Sequence, residues 1–170
     1  MDFDLLVKER FSVRKFSDRE IAPELVEKIL TAAQLAPTAH NIQSFRILVL
    51  NSEEARQKAA LCTPYHFDAP LIMLICYDKN VAPTLAQNDL NFGLIDACIV
   101  TTHMMLQATD LGLGSTWVGY FDQSKTCDLF ALPDHIIPAA FLPLGYPASS
   151  AHPAELHYIR KPLCEIATYL

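Results

Sequence analysis

An uninterrupted apolar run, PLIMLICY from Pro70 to Tyr77, most limits the folds that this chain can adopt. The run is rich in branched side chains and too short for a buried helix, so it predicts a β-strand that is buried on both faces. FRILVLN, from Phe45 to Asn51, is a second run of the same kind. We therefore expect two core strands in a chain of 170 residues whose 51% apolar content suits one compact domain spanning residues 1–170.

Helical spacing dominates two segments around these strands. In the first, from Asp18 to Pro37, Pro23 is placed to begin a helix and Pro37 to end it. Its apolar residues at helical intervals are Val26, Ile29, Leu30 and Ala33. The second segment, from Asp89 to Leu111, predicts a long central helix that ends at a glycine pair. Its expected apolar stripe is Leu94, Cys98, Thr101, Met105 and Ala108.

The C-terminal third predicts two further strands and an arm. STWVGYF, from Ser115 to Phe121, and AAFLPLGYP, from Ala139 to Pro147, have strand character, and Pro143 moves the second towards an edge or a bulge. The last 23 residues, rich in proline, predict an extended arm. Mixed helices and strands indicate an α/β or α+β class, and an arm without its own core is expected to pack on a second copy of the chain.

Charge and cysteine content exclude several classes of protein. A formal net charge of −6 argues against nucleic-acid binding, which needs a basic surface. The N-terminus lacks a signal-peptide pattern, and no stretch of about 18 apolar residues predicts a membrane span. Five cysteines without C-x-x-C spacing suit reduced thiols. These features predict a cytoplasmic protein without disulfides.

Two common cofactor motifs are also missing. GLGSTW, from Gly112 to Trp117, lacks the third glycine of a dinucleotide fingerprint and leads from a helix into a strand, the reverse of the required order. The six histidines have no metal-binding spacing, and no cysteine pair supports them, so no metal site is expected.

A basic cluster near the N-terminus, RFSVRKF, is the first candidate binding site. Side chains two residues apart share one side of an extended segment, so Arg10, Ser12 and Arg14 are expected on one side while Phe11 and Val13 face the core. Guanidinium groups bind phosphate through paired charge-assisted hydrogen bonds. A solvated charged turn is the alternative.

Two more polar segments are candidates. The loop PTAHNIQS offers the hydroxyl of Thr38 and the amides of Asn41 and Gln43, which can bind the donors and acceptors of a heterocycle, although turn chemistry alone explains such residues equally well. In the arm, Arg160 adds a third guanidinium to the cluster if the arm packs back near Arg10, and is otherwise a solvated charge.

These segments form four motifs in a fixed order. They are RFSVRKF, APTAHNIQS, LGLGST followed by WVG, and LGYP followed by RKPL. In this order the chain resembles the FMN-dependent nitroreductase family over essentially its whole length. The resemblance implies an α+β fold, with a mixed sheet flanked by helices and an extended C-terminal arm exchanged in a homodimer that builds two shared FMN sites.

The same resemblance implies residue roles. Arg10 and Ser12 would hold the phosphate and ribityl chain of FMN, with Phe11 in the same segment, and Arg160 would join them at the phosphate. Arg14 would reach the ribityl chain and pyrimidine. From the partner subunit, the loop would supply four residues: Pro37, Thr38, Asn41 and Gln43. The backbone of Trp117, Val118 and Gly119 would lie against the reactive edge of the flavin. The segment Cys62 to Pro70 departs from the family, which leaves the usual pyrimidine contacts without a counterpart.

The implied activity is transfer of a hydride from NADH or NADPH to a nitroaromatic, quinone or similar small-molecule acceptor by a ping-pong mechanism, without a catalytic acid, base or metal in the protein. Two alternatives stay open. One is a flavin-binding storage or regulatory protein without turnover, and the other is a specialised family member that performs dehalogenation or flavin fragmentation.

Overall fold

A four-stranded sheet forms the centre of the computed structural model, which describes residues 2–170. Its strands are β1 (Phe45–Leu50), β2 (Leu71–Asp78), β5 (Gly114–Ser115) and β6 (Ile136–Gly145), and a separate hairpin pairs β3 (Thr84–Leu85) with β4 (Leu90–Asn91). The strand order in the sheet is β1-β2-β6-β5, and every neighbouring pair is antiparallel. Among the described strand pairings, one contact is parallel, an isolated bridge between Ser12 and Ser115.

Helices cover both faces of this sheet. They are α1 (Phe3–Glu9), α2 (Pro23–Gln34), α3 (Glu53–Cys62), α4 (Gly93–Asp110), α5 (Gln123–Leu129) and α6 (Leu163–Ile166), with 3₁₀ turns at Ala39–Asn41 and Glu155–Tyr158. Helices α2 and α4 pack together on one face, and α3 and α5 on the other. The α+β class is confirmed. None of the helices in residues 2–170 combines the length and apolarity that a bilayer crossing demands.

The two faces of β2 contribute to separate apolar clusters, as expected for a strand buried on both sides. Met73 and Ile75 face the cluster beneath α2 and α4, whereas Ile72 and Leu74 face the cluster beneath α3 and α5. All four side chains are essentially inaccessible. Because successive side chains of a strand point to opposite faces, this one apolar run contributes to the core on both sides of the sheet.

Strand β6 lies between β2 and β5, so of the two predicted alternatives, an edge or a bulge, the edge is wrong, while a bulge-like register shift is present away from Pro143. Pro143 stands opposite Ile72, but its carbonyl accepts from the Thr116 N–H at 3.2 Å, on the β5 side. Because the N–H and C=O of a strand residue point to the same side, the missing donor of Pro143 also falls on the β5 side. The β2–β6 ladder loses no hydrogen bond there, and its register shift lies elsewhere, opposite Ile75 and Cys76.

The predicted strand from 115 to 121 is wrong over most of its length. Regular pairing covers only Gly114 and Ser115, and Val118 adds an isolated bridge to Phe141. Pro143 explains the interruption, because it has no N–H to donate back to Thr116. The proline therefore shortens the neighbouring strand while its own strand stays central.

Helix α4 begins later than predicted, and its buried face differs from the predicted stripe. Residues 84–91 form the hairpin, and the helix begins at Gly93. Leu94 is 49% exposed and Met105 is half-buried, while Val100 and Met104 are in the core. Because the helix is apolar around most of its circumference, periodicity alone does not select the buried face.

Apolar side chains remain exposed at both ends of the chain. Helix α1, which the sequence pattern did not predict, is capped by Asp2 and packs near α4, yet buries none of its residues. The arm after Pro147 contains two short helical turns instead of being extended throughout, and Leu163 within it is 80% exposed. These surfaces have no apolar cover within the described subunit.

Candidate functional site

The basic segment near the N-terminus runs beside β5 at one edge of the sheet. The Val13 N–H donates to the Ser115 carbonyl at 3.0 Å, and Val13 is buried while Arg14 is exposed. Gly114 permits this approach, since a Cβ there would lie 2.4 Å from a Val13 methyl. The expected alternation therefore holds for Val13, whereas Phe11 is half-buried against the ring of His157, at 6.4 Å between centroids.

Arg10 and Arg160 come from opposite ends of the chain but are near enough for their charges to interact, and the ring contact between Phe11 and His157 joins the same two segments. Burial lowers the pKa of the Arg10 guanidinium, and the nearby positive charge of Arg160 lowers it further. The arm reaches this position by running back along the basic segment, where the Ala148 N–H donates to the Lys15 carbonyl at 3.0 Å. Within residues 2–170 neither guanidinium forms a salt bridge. Two like charges held together without a carboxylate form an attractive position for an anion.

The segment from Trp117 to Gly119 continues the same edge. Val118 exchanges both of its backbone hydrogen bonds with Phe141, at 2.9 and 3.0 Å, so the backbone groups of Trp117 and Gly119 point away from β6. No acceptor in the described chain reaches the amides of these two residues. They face the side of the strand on which Val13 binds Ser115, which places free N–H donors on the edge that carries the arginines.

The loop from Pro37 to Gln43 has an unusual backbone. His40, Asn41 and Gln43 have φ angles of 53°, 56° and 55°, a left-handed region that residues other than glycine rarely adopt. Thr38 stabilises the loop from within: its carbonyl accepts from the Asn41 N–H at 2.9 Å, and its Oγ1 accepts from the Gln43 N–H at 3.1 Å. Turn chemistry is thus present, and it leaves the side chains of Asn41 and Gln43 exposed.

The structure brings together only part of the candidate residues within one subunit. Six of them share the β5 edge, with Phe11 beside them: Arg10, Ser12, Arg160, Trp117, Val118 and Gly119. Arg14 lies there too, with its guanidinium donating to the Ser12 carbonyl at 3.4 Å. The Pro37–Gln43 loop precedes β1, and β2 and β6 separate that strand from β5. No hydrogen bond or ring contact among residues 2–170 joins the two groups.

The segment from Cys62 to Pro70 contacts the strand edge in a way that the sequence did not indicate. The Thr63 hydroxyl donates to the Tyr120 carbonyl at 2.7 Å, and the rings of Tyr65 and Tyr120 meet edge to face at 5.7 Å. Tyr65 is 46% exposed and Tyr120 72%. The pairing spans distant residues, so no local pattern could have predicted it.

Sequence reasoning also missed Asp96, a buried carboxylate on α4 that accepts from the Ala39 N–H at 2.9 Å. A single acid within the apolar segment LIDACIV was the available signal. Such an acid is rarely buried without a partner, but the predicted stripe of α4 did not include position 96, so its burial became visible only in the structure.

Comparison with known proteins identifies the family. The model of the nitroreductase family matches residues 7–63 and 63–146. The chain belongs to the nitroreductase family. It is 32% identical over 163 residues to the "Putative NADH dehydrogenase/NAD(P)H nitroreductase" of Methanothermobacter thermautotrophicus, with 92% of this chain and 83% of that protein covered.

Solved structures of nitroreductase family proteins share the fold. A family protein from Clostridium difficile 630 superposes with a TM-score of 0.93 and 40% identity, covering 99% of this chain and 98% of the other. A protein from Exiguobacterium sibiricum 255-15, solved in complex with FMN, superposes with a TM-score of 0.86 and 22% identity, covering 100% of this chain and 98% of the other. The second likeness concerns the fold alone.

Proposed function

We propose that this member of the nitroreductase family is an FMN-dependent oxidoreductase that uses NADH or NADPH to reduce a nitroaromatic, a quinone or a similar small molecule. The observation that carries the proposal is that the segments of Arg10 and Arg160 meet through the Phe11 and His157 rings, so that the two charges interact without a carboxylate partner among the described residues. The terminal phosphate of FMN has the charge and the geometry that such a pair binds. The residues present therefore fit the cofactor.

Each candidate residue has a role in this proposal. Arg10, Ser12 and Arg160 bind the phosphate end, and the exposed Arg14 guanidinium is free to turn from the Ser12 carbonyl towards the ribityl chain and the pyrimidine. The free amides of Trp117 and Gly119 meet the reactive edge of the flavin. Phe11 and Val118 complete the segments that carry these groups.

The partner subunit supplies the remaining contacts. Thr38, Asn41 and Gln43 precede β1, which β2 and β6 separate from the edge that carries Arg10, so we expect a second subunit to bring them to a ligand there. In a homodimer with two shared sites, the loop that begins at Pro37 approaches the arginine edge of the other copy. The exposed apolar side chains of α1 and the arm suit the interface of such a dimer.

FMN held by Arg10, Ser12 and Arg160 would supply two-electron redox chemistry between NAD(P)H and the acceptor. The protein binds and orients the reactants. Arg14, as a cation placed near the pyrimidine, would stabilise negative charge on that ring. No side-chain acid, base or metal ion is required, and we expect donor and acceptor to occupy the same surface in turn, which gives a ping-pong mechanism.

We further propose a cytoplasmic location and one domain per subunit. All five cysteines are free, as suits a reducing compartment. The two apolar clusters lie on the two faces of one sheet, which suits one folding unit.

The direct test is the identity of the bound chromophore. We expect denaturation of the purified protein to release FMN, identified by chromatography, and the reconstituted protein to oxidise NADH or NADPH in the presence of menadione. FAD as the dominant species, or a protein that stays colourless after incubation with FMN, contradicts the cofactor proposal. FMN binding without oxidation of either nicotinamide contradicts the enzymatic proposal.

A further inference from the structure

Asp96 is the carboxylate that connects the core of α4 to the Pro37–Gln43 loop. Its side chain is 1% exposed and lies beside Ala97 and Val100 on the buried face of the helix. Oδ1 accepts the Ala39 N–H at 2.9 Å, whereas Oδ2 has no hydrogen-bond partner among residues 2–170. The Ala39 N–H is therefore the one hydrogen-bond donor to this carboxylate among the described residues.

Stability of the core does not explain an aspartate at this position. Burial of a carboxylate is unfavourable unless both oxygens are well hydrogen-bonded, and apolar residues of similar shape in place of buried charges are often neutral or stabilising. Thr101, another buried polar residue of α4, differs in this respect, because its hydroxyl is satisfied by the Ala97 carbonyl of its own helix at 2.7 Å. Asp96 instead directs its contact outside the helix.

The loop that receives this contact needs an external support. It holds three non-glycine residues at positive φ, and such backbone conformations persist only where the surroundings determine them. Thr38 links residues within the loop, but these hydrogen bonds do not connect it to the core. The Asp96 contact does so at Ala39, the first residue of the 3₁₀ turn.

We propose that Asp96 is a positioning residue, which holds the Pro37–Gln43 loop in the conformation that presents Thr38, Asn41 and Gln43 to the flavin of the partner's site. This inference rests on the proposed function. The loop then enters the site preformed, and the free energy of ordering it is not subtracted from the binding of the cofactor.

Two substitutions at this position separate the role in the loop from the role in the core. Asp96→Leu has the same branching as aspartate but no acceptor, and Asp96→Asn keeps an acceptor oxygen. We expect Asp96→Leu to keep or raise the urea midpoint of unfolding, to speed hydrogen exchange of the Ile42 and Gln43 amides in the FMN-free protein at least about 10-fold, and to weaken FMN binding by about 10-fold or more. Asp96→Asn should stay within about 3-fold of wild type in the exchange rate of the loop amides and in FMN affinity.

Removal of the donor tests whether Asp96 acts through the Ala39 N–H. Ala39→Pro deletes this N–H. The backbone is compatible with proline, because Thr38 has φ −132° and ψ 158°, in the range of residues that precede proline, and Ala39 is the first residue of its turn. In the Ala39→Pro background, Asp96→Leu should change the exchange of the same amides by less than about 2-fold.

Thr101→Val is the matched control, because it removes a buried polar group of the same helix that does not contact the loop. We expect it to change the urea midpoint but neither the loop amides nor the FMN affinity. The inference is overturned if Asp96→Leu leaves loop exchange and FMN affinity at their wild-type values. It is also overturned if Thr101→Val weakens FMN binding as much as Asp96→Leu does, or if Asp96→Leu speeds loop exchange equally in the Ala39→Pro background. If wild type binds no FMN while Asp96→Leu still loosens the loop, the flavin proposal fails and the anchoring by Asp96 stands.

Discussion

The proposed phosphate site can be tested by replacing Arg10 and Arg160 one at a time. A hydrogen bond to a charged group contributes about 1.5–3 kcal/mol, so Arg10→Ala or Arg160→Ala should raise the FMN dissociation constant roughly 10- to 150-fold. The burial and the like-charged neighbour that lower the pKa of Arg10 both disfavour its cation until an anion arrives. Fluorescence titration of FMN-free protein measures the change.

Arg56 is the matched control for these variants. It lies on α3, and its guanidinium donates to the Asn51 carbonyl and to none of the candidate residues. Arg56→Ala should leave FMN affinity within about 3-fold of wild type. Equal losses in Arg56→Ala and Arg10→Ala would attribute the effect to net charge instead of to a phosphate site.

At the scale of residues, local patterns predicted side-chain chemistry but not long-range pairing. The alternation in RFSVRKF located Val13 in the core, because the period of an extended chain is a local property. The approach of Arg160 to Arg10 depends on the path of the arm, and the contact of Asp96 joins residues 57 apart. Neither of these contacts can be predicted from the residues that neighbour its members in sequence.

At the scale of elements, the strongest apolar runs were the best predicted, since burial on both faces leaves few other structures for them. The predicted helix from Pro23 and the strands β1 and β2 agree with the structure. The errors gathered where one residue acts on a neighbour across the sheet. Pro143 removes a donor from the β5 side, an effect that is invisible until the strand order is known.

Packing of the basic segment against β5 depends on the absence of a side chain at Gly114. A Cβ there would meet Val13 at 2.4 Å, so Gly114→Ala should lower the free energy of unfolding by about 1–3 kcal/mol. Combined with Val13→Ala, which makes room, it should cost at least about 0.5 kcal/mol less than the sum of the two single changes. Urea denaturation measures all three variants.

Gly119 supplies the control for this packing prediction. A Cβ at Gly119 has its nearest neighbour, the Trp117 Nε1, at 3.6 Å, which is ordinary contact. Gly119→Ala should therefore change the free energy of unfolding by no more than about 0.5 kcal/mol. Strict additivity of Gly114→Ala and Val13→Ala would show that the two residues do not compete for space.

At the scale of the whole molecule, the position of the two candidate groups at opposite sheet edges favours a homodimer. Light scattering should give twice the subunit mass. Leu163 and Ile166 are 80% and 67% exposed, so replacing both by Asp costs a free subunit little but opposes burial at an interface. We expect this double variant to become monomeric and to lose FMN, with unchanged far-ultraviolet circular dichroism.

An exposed leucine outside the arm separates an interface effect from a general one. Leu61, on α3, is 58% exposed, and Leu61→Asp should stay dimeric. Dissociation of Leu61→Asp to the same extent, or a monomeric arm variant that keeps full flavin occupancy, would contradict a site shared between subunits through the arm.

Turnover gives the most demanding test of the assembled site. In the proposed function the amides of Trp117 and Gly119 meet one edge of the flavin, and we assign no second substrate surface to the elements of residues 2–170. Oxidised nicotinamide must then leave before the acceptor binds, so initial rates at several fixed menadione concentrations should give parallel double-reciprocal lines against NAD(P)H. High menadione should inhibit competitively with the donor, because both occupy the same surface. Intersecting lines would require a ternary complex, and with it a second binding surface for which the positions of these segments provide no place.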